Sequence, residues 1–518
     1  MNKGNQTSFR TLVPQLILIL FLFGPLLYLV ADSLLQLFTE PGLIQLALPV
    51  GRRLNLLLNS LTLAATVSIT VAVIGVLAGS LLVFEDAVLW RWIKWGFLVT
   101  APVPPYIHAL VWSSIVRMLN TSLGSYGFSL PGSGLFMSYL VDTMAYLPLG
   151  VGLAMLGYML VETPAVEAAR LFKEDIRGFM EVVLPLASPM ILAALGFVFI
   201  LVVTDYSVPT LYSYNVYSLE VFSEFSASNN PAHSVWLSLP IVLITLIVLI
   251  LTLKRLRNTV QSSSVSRTET LSDWGFPGWF KTIQTLAASV ILVQVVFLLG
   301  GLIIETGSFT SLYFAVEAAT DDLVVSAVIG LMGAFLGGLL GYLLSNRLRG
   351  GALWWVLISV PLALPSSIVG IGLIDAYSRW LPWLYGTMAM PIIAVTTRFI
   401  AIATIIIYTQ SKRVDPLLFE AADLFKKEKH QALWRVKLPL QKYGLAAAIS
   451  ALIAFSVGEL GSTLLVVPPG PETLTIRIFN YLHYGGSEEV AGLCLLIVVL
   501  MMGLTGTAFK TYMGGRHR

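Results

Sequence analysis

Ionisable side chains inside long apolar segments are the residues of this sequence whose types could do chemistry. Asp205 and Glu459 lie near the ends of two such segments, and charged groups there usually face an interior or a water path. One interpretation is that both carboxylates line the outer mouth of a central cavity and meet a cation or its carrier. The other is that they accept hydrogen bonds from nearby loop amides. The sequence leaves both interpretations open.

Arg398 is a basic residue that lies in the middle of an apolar segment. A buried charge is stable when it is paired or when it faces water. Arg398 therefore either faces a solute path or pairs with an acidic group such as Asp375 or Glu459. We favour the structural pair.

Prolines interrupt two further apolar segments, at Pro102 and Pro105 and again at Pro361 and Pro365. Such breaks free backbone carbonyls, which then need polar partners or water. Polar side chains that follow the breaks are candidates for lining a translocation path. These candidates are Tyr106, His108, Ser366 and Ser367.

No residue pattern in the sequence is typical of catalysis, of a metal centre or of nucleotide binding. The five histidines are scattered and lack metal-ligand spacing. Cys494 is the single cysteine, so we expect no intramolecular disulfide and a packing role for this residue. The sequence has no G-x-x-x-x-G-K-S/T phosphate-binding loop. We expect no catalytic residue, no metal and no cofactor in this chain, and the net charge of +3 does not suggest a nucleic-acid partner.

The composition predicts a membrane protein. Of the 518 residues, 57% are hydrophobic and only 11% are charged, and the mean hydropathy is +0.84, whereas soluble proteins carry about 25% charged residues. The first apolar run begins near Leu12 without a small-residue cleavage site, so we expect a retained span and not a signal peptide. The expected fold class is an all-α polytopic membrane protein.

Twelve segments are long and apolar enough to cross a bilayer as helices. They lie near 14–36, 56–84, 95–117, 138–160, 189–208, 234–253, 282–304, 322–345, 353–376, 387–409, 443–462 and 489–509. The segment 254–281 is polar and rich in Ser and Thr, which is typical of a linker. We therefore expect two six-span repeats, 1–253 and 282–518, joined by this linker.

The basic residues predict the orientation of the spans. With a cytoplasmic N-terminus, 25 of the 31 Lys and Arg residues fall on the inner side, as the positive-inside rule requires. Five fall outside, namely Arg52, Arg53, Arg117, Arg379 and Arg477. We expect both termini in the cytoplasm.

Two polar islands interrupt the apolar spans, the first island at about 161–188 and the second island at about 411–441. The first contains EAARLFKEDIRGFMEVVLPL and the second EAADLFKKEKHQALWRVKLPL. Glycine pairs, proline breaks and the carboxylates Asp205 and Glu459 also recur in the same order in both halves. Because each half has six spans, we expect a parallel repeat with both islands on the inner side.

Each island is predicted to form a helix that starts at a proline, Pro164 or Pro416, where a missing N–H costs nothing. The Leu-Pro pair at the end of each island is expected to end the polar stretch, since proline disfavours a helical residue before it. Small alanines and one Leu-Phe pair suit docking to a partner. The alternative is an ordinary amphipathic connector on the bilayer, which the repetition of the island makes the weaker interpretation.

The EAA pattern, followed by a loop and Leu-Pro before the penultimate span of each half, resembles permeases of type I binding-protein-dependent ABC importers. In that family the EAA helix is a coupling helix that fits a groove on the ATPase subunit. The resemblance covers the whole chain, once per half, and so implies a fused permease. The residues that it assigns to docking are Glu167, Ala168, Ala169, Leu171 and Phe172 for one ATPase copy, and Glu420, Ala421, Ala422, Leu424 and Phe425 for the other.

Two details refine this resemblance. The family often has Gly six residues after the Glu, where this chain has Lys173 and Lys426, and the first island is one residue shorter between Glu and Pro. The stretch 458–486, with its PPG…TL…RIF wording, is similar to fused permeases for ferric iron, thiamine and polyamines. The resemblance implies ferric iron as the first expectation for the solute, and thiamine, a polyamine or another small solute as alternatives.

The resemblance implies several partners. They are two copies of a separate cytoplasmic ATPase that binds ATP and Mg, an external or periplasmic solute-binding protein, and the lipid bilayer of a prokaryotic cell (inner) membrane. An ion-driven carrier also has twelve spans in two repeats, although such carriers tend to bury more charge at mid-membrane than Arg398 alone. A membrane scaffold or sensor that uses the islands to hold partners is a third possibility.

Overall fold

The chain is described by a computed structural model of residues 4–85, 88–262, 274–412, 414–425, 429–470, 472–484 and 488–514, and these residues contain helices but no strands. The first half contains α1 Gly4–Thr39, α2 Leu43–Leu46, α3 Arg52–Phe84, α4 Val88–Val99, α5 Pro105–Leu123, α6 Gly134–Met159, α7 Thr163–Phe172, α8 Asp175–Gly178, α9 Leu184–Thr204, α10 Ser207–Leu211, α11 Tyr217–Ser228 and α12 Pro231–Ser262.

The second half repeats much of this order. It contains α13 Gly278–Thr306, α14 Phe309–Ala318, α15 Thr320–Ser345, α16 Ala352–Ala363, α17 Ser366–Trp380, α18 Ala389–Lys412, α19 Pro416–Phe425, α20 Lys429–Ala432, α21 Leu438–Gly458, α22 Thr463–Val466, α23 Leu474–Tyr484 and α24 Glu488–Gly514. Two 3₁₀ turns, Gly124–Tyr126 and Asn346–Gly350, and two π-helical segments, Phe179–Val183 and Leu433–Lys437, complete the helices.

Ten helices in the described residues are long and apolar enough to cross a membrane, or eleven if α16 and α17 count as one bent span. The chain is therefore a multi-pass, all-α membrane protein, as the composition predicted. This count is consistent with the predicted all-α fold of about twelve spans, two of which do not form single long helices. The spans affected are the third and the ninth, both of which contain the prolines noted above.

The third and ninth predicted spans are each a pair of short helices. In the first half, residues 100–104 separate α4 from α5, and Pro104 is the extended residue before α5. In the second half, α16 and α17 meet at an angle of 95°. Proline lacks an N–H and restricts the residue before it, which accounts for the breaks at 100–104 and at Leu364 and Pro365. Pro361 was also predicted to interrupt the ninth span, but it lies inside α16.

Three long helices form the centre of each half. In the first half α3, α6 and α9 pack on one another, and in the second half α15, α18 and α21 do the same. The first helix of each half packs against the other half as well as its own. Helix α1 contacts α12 of the first half and α17 and α18 of the second, and α13 contacts α24 of the second half and α3 and α5 of the first. The two halves are therefore interleaved.

Apolar side chains cover the outside of these helices as well as the inside. Ile69, Val73, Leu331 and Phe335 are each more than half exposed. In water this arrangement would leave a large apolar surface unburied, whereas lipid tails solvate such side chains without cost. The exposed apolar surface fits the assignment to a membrane.

The segment predicted as a linker, 254–281, is shorter in the structure. Helix α12 continues to Ser262 and α13 starts at Gly278, so both ends of the segment are helical. The remaining polar stretch, 263–273, lies outside the described residues. Residues 274–277 are described, and they contact the first island.

Glycines let the central helices approach closely, and what they contact differs from one glycine to another. A Cβ atom on Gly75 would lie 3.2 Å from the backbone oxygen of Gly150. A Cβ atom on Gly337 would lie 2.7 Å from the side-chain tip of Leu452. The first contact is between two backbones, and the second is between a backbone and a flexible side chain.

Candidate functional site

The first island presents its Leu-Phe pair outward. Helix α7 has a proline in its first turn, as predicted. Leu171 is 81% exposed and Phe172 is 84% exposed, while Ala169 on the opposite face is buried. Glu167 and Ala168 are exposed. An exposed leucine and phenylalanine side by side at the end of a short helix form a surface that a partner could cover.

The second island has the same outline. Helix α19 starts at Pro416, and the Asp415 carboxylate accepts a hydrogen bond from the Leu417 N–H at 2.9 Å, a helix-capping contact. Glu420 is exposed, Ala421 half-buried and Ala422 buried. Leu424 is 82% exposed. The side chain of Phe425 and residues 426–428 lie outside the description.

The Leu-Pro pairs were predicted to end the polar stretches because proline disfavours a helical residue before it, but the helices continue through both pairs. Leu184 and Leu438 both have right-handed helical backbone angles, and helix continues through Pro185 and Pro439 into α9 and α21. The five residues before each Leu-Pro pair are π-helical. This wider turn makes room for the proline ring, which in an α-helix would clash with the carbonyl four residues earlier.

Lys173 stands where the resembled family often has glycine. Its backbone N–H bonds to the Ala169 carbonyl at 3.0 Å, and its ammonium group pairs with the Glu181 carboxylate on the π-helical segment. This ion pair joins the end of α7 to the helix that enters the membrane region. The first island is thus a tight hairpin of α7 against the start of the span.

Arg398 and Glu459 form a buried ion pair at 2.9 Å, with both side chains under 10% exposed. The Glu459 carboxylate also accepts hydrogen bonds from the Ser462 N–H and hydroxyl, each at 2.9 Å. The predicted pairing of Arg398 with Glu459 is therefore confirmed. The other suggested partner, Asp375, instead pairs at 3.0 Å with Arg379 on its own helix.

Asp205 lies at the end of α9, in the place that Glu459 takes at the end of α21. Its carboxylate accepts a hydrogen bond from the Ser207 hydroxyl at 2.7 Å. The Asp205 backbone carbonyl accepts one from Ser218 at 2.8 Å. Both carboxylates thus accept hydrogen bonds from the turn that follows them, as one of the two interpretations expected.

The polar candidates after the proline breaks are buried. The Tyr106 hydroxyl donates to the Thr475 hydroxyl at 3.0 Å, which joins α5 to α23 across the two halves. His108 and Ser367 are fully buried, and their side chains have no hydrogen-bonding partner among the residues described. Ser366 is buried as well. None of these four side chains is open to solvent in the conformation described.

Three segments meet around the Ser366 side chain, namely the start of α17, the turn after α21 and the turn after α9. A Cβ atom on Gly461 would lie 1.9 Å from the Ser366 hydroxyl and 3.3 Å from the Tyr206 ring. A Cβ atom on Gly458 would lie 2.9 Å from the Pro104 ring. The end of α21 and the turn after it are therefore packed against the breaks before α5 and α17 and against Tyr206, which follows α9.

Two further buried carboxylates escaped the sequence analysis. Asp142 on α6 is 2% exposed, and one of its oxygens lacks a hydrogen-bonding partner in the described part of the chain. Asp322 pairs with Arg477 at 2.6 Å, and this contact raises the pKa of Arg477 on α23. The rule that flagged Asp205, an acid beside apolar residues, could also have flagged Asp142.

Proteins with sequences similar to this chain are permease subunits of transport systems. It is 28% identical over 193 residues to the putative 2-aminoethylphosphonate transport system permease protein of Salmonella typhimurium, which covers 36% of this chain and 72% of that protein. It is 25% identical over 205 residues to the molybdate/tungstate transport system permease protein of Pyrococcus abyssi, covering 37% and 79%. No protein-family model matches the chain.

A third relative shows the difference in length. The chain is 24% identical over 239 residues to the probable molybdenum ABC transporter permease protein of Haloferax volcanii, which covers 44% of this chain but 88% of that protein. That relative is therefore about half as long as this chain. The comparisons relate the chain to ABC transporter permeases at low identity, and the substrates in their names are a phosphonate, molybdate and tungstate.

Proposed function

We propose that this chain is the transmembrane permease subunit of an ATP-driven ABC importer, in which each half of one polypeptide does the work of one permease subunit. The proposal rests on one observation above all. The Leu-Phe end of α7 and Leu424 of α19 stand exposed at equivalent places in the two halves, in a chain related to half-length transport permeases.

In this proposal the islands face the cytoplasm and each docks one copy of a separate ATPase. Closure of the two ATPase copies on ATP draws α7 and α19 together. Because each island continues directly into a membrane helix, α9 or α21, its displacement is passed to the centre of the bundle. In the first half the Lys173–Glu181 pair also joins the end of α7 to the start of this helix.

The buried centre is the proposed gate of the translocation path. Ser366, Arg398 and Glu459 are buried and Asp205 is half-buried. Separation of the halves would expose these groups to water and open a polar path. Tyr106, His108 and Ser367 belong to the same buried layer in the proposal. An external binding protein delivers the solute to the outer loops.

The solute has two candidates. Ferric iron follows from the wording of 458–486, and an oxyanion such as molybdate or a phosphonate follows from the names of the relatives. Uptake into proteoliposomes that contain this chain, its ATPase and its binding protein separates them, with labelled iron, molybdate and thiamine supplied in parallel. Uptake without ATP but with an ion gradient would identify an ion-driven carrier instead.

The docking role is tested by Glu167→Lys together with Glu420→Lys. We expect this charge reversal at both helices to abolish ATP-driven uptake and to release the ATPase from the purified complex. The matched control is Glu317→Lys with Glu489→Lys, which reverses two exposed glutamates outside the islands. The proposal fails if the double island variant transports and couples ATP hydrolysis as well as this control does.

A further inference from the structure

The end of the segment that joins the two halves packs against the buried side of the first island. We call residues 274–280 the linker clasp. Trp274, Phe276 and Phe280 of the clasp are each under 10% exposed, although the surrounding chain is polar. Buried aromatic side chains contribute much of the packing energy of a core or an interface.

The three clasp rings pack on the ring of Phe179, the first residue of the π-helical segment in the first island. Phe179 is fully buried, and its ring centroid lies 5.5 Å from that of Phe276, 5.8 Å from that of Phe280 and 6.4 Å from that of Trp274. Phe84 at the end of α3 adds a further contact to Trp274, at 5.6 Å. The clasp thus fills the space between α3 and the first island.

Polar contacts fix the clasp in register with α7. The Asp175 carboxylate accepts a hydrogen bond from the Gly275 N–H at 2.5 Å and pairs with Arg170 at 3.3 Å. The Arg170 guanidinium lies over the Trp274 ring, 5.5 Å from its centroid. Arg170 belongs to α7 and Asp175 to α8, so both arms of the island hairpin contact the clasp.

The corresponding position in the second island differs. Leu433 begins the π-helical segment there, as Phe179 does in the first island, but Leu433 is only half-buried. Trp434, the next residue, is 68% exposed. The aromatic cluster around Phe179 therefore has no counterpart around Leu433 in the described part of the second island.

We propose that the linker clasp is a positioning element for the first ATPase-docking helix, an inference that rests on the proposed function. The last three residues of the clasp form the start of α13, which begins at Gly278. Helix α13 packs against α3 and α5. Displacement of α7 therefore also pulls on the first span of the second half. The two docking helices are inequivalent, because α7 is tied to both halves through the clasp.

The first test measures the order of α7 and needs no ATPase, so it can fail independently of the proposed function. In a Cys494→Ala background, spin labels are placed at Leu171 and Asn346, or at Leu424 and Asn346, and distances are measured by pulsed electron resonance. We expect Trp274→Ala to broaden the Leu171 distribution about twofold, since loss of packing lowers local stability, and to leave the Leu424 distribution unchanged.

Trp279→Ala is the matched control, because Trp279 is a tryptophan of the same segment that is 60% exposed. An unchanged Leu171 distribution in Trp274→Ala, or equal broadening at Leu171 and Leu424, overturns the proposal. If Trp274→Ala does not fold, Asp175→Ala removes the acceptor for Gly275 and the partner of Arg170 at a partly exposed position. For Asp175→Ala, an unchanged Leu171 distribution or equal broadening at Leu171 and Leu424 again overturns the proposal.

The second test measures coupling in the assembled transporter. We expect Trp274→Ala to lower the solute transported per ATP hydrolysed by about fivefold or more, the scale of an ordinary coupling free energy, while the ATPase stays bound. Trp279→Ala is expected to keep the ratio of the unaltered chain. Equal losses of uptake and of assembled complex, with an unchanged ratio, would mean a purely structural clasp and would overturn the positioning role.

Discussion

Asp205 and Glu459 occupy the same place in the two halves, yet their carboxylates are stabilised differently. Each residue follows the last residue of a long central helix, α9 or α21, and each accepts a hydrogen bond from a serine in the next turn. Glu459 also pairs with the Arg398 guanidinium at 2.9 Å, whereas Asp205 has no ion pair in the described part of the chain. The corresponding helix of the first half, α6, contains no lysine or arginine.

The two halves therefore share the backbone at this position and differ in charge. Both carboxylates cap the same turn, which depends on local hydrogen bonds that each half can make alone. The Arg398–Glu459 pair needs two helices, α18 and α21, in one arrangement. A buried pair of this kind fixes geometry more than it adds stability, because the desolvation of both ions offsets their attraction.

Among the substitutions that test this difference, Arg398→Met should lower the stability of the protein most. It leaves the Glu459 carboxylate buried without its cation, and breaking a buried pair costs about 3–5 kcal/mol. We expect a lower midpoint of thermal unfolding in detergent and less folded protein in the membrane. Arg398→Met together with Glu459→Gln should recover most of the loss, since Gln keeps an acceptor for Ser462 and carries no charge. A double variant as unstable as the single one would contradict the ion-pair argument.

Alanine substitutions at two glycine contacts, one of α3 with α6 and one of α15 with α21, should have intermediate effects on stability. Gly75→Ala places a methyl group against the Gly150 backbone, which cannot move without shifting α6, and overpacking of this kind costs about 1–3 kcal/mol. Gly337→Ala meets only the tip of Leu452, which can change rotamer. We expect Gly75→Ala to lower the unfolding midpoint more than Gly337→Ala does. The reverse order would show that the α3–α6 contact is the more adaptable.

Much of the fold follows from composition and periodicity, because long apolar runs have few alternatives to membrane helices. The proline breaks in the third and ninth spans were also visible, and so was the candidate pairing of Arg398 with Glu459. The continuation of helix through Leu184-Pro185 was missed. A π-helical turn before a proline depends on hydrogen-bond register, and residue preferences around a single proline do not reveal it.

The interleaving of the halves and the burial of Trp274 could not be predicted from the sequence. Both depend on contacts between segments that are far apart in the chain, such as Gly275 with Asp175. The polar composition around 254–281 indicated a linker. The prediction therefore overlooked three aromatic residues of this segment that are buried, Trp274, Phe276 and Phe280. A local excess of Trp and Phe next to a polar stretch was the available signal.

Asp205→Asn should have the smallest effect of the three changes. The amide oxygen can still accept the Ser207 hydroxyl, so the turn after α9 keeps its bond, and the net worth of one such bond is about 0.5–1.5 kcal/mol. We expect a shift of the unfolding midpoint well below that of Arg398→Met, measured in the same detergent. Glu459→Gln is the matched change in the other half, and it should cost more, because it leaves the Arg398 guanidinium without its carboxylate. Equal shifts for Asp205→Asn and Glu459→Gln would mean that the ion pair adds nothing to the capping turn, and the distinction between the two halves would then reduce to their helix contacts.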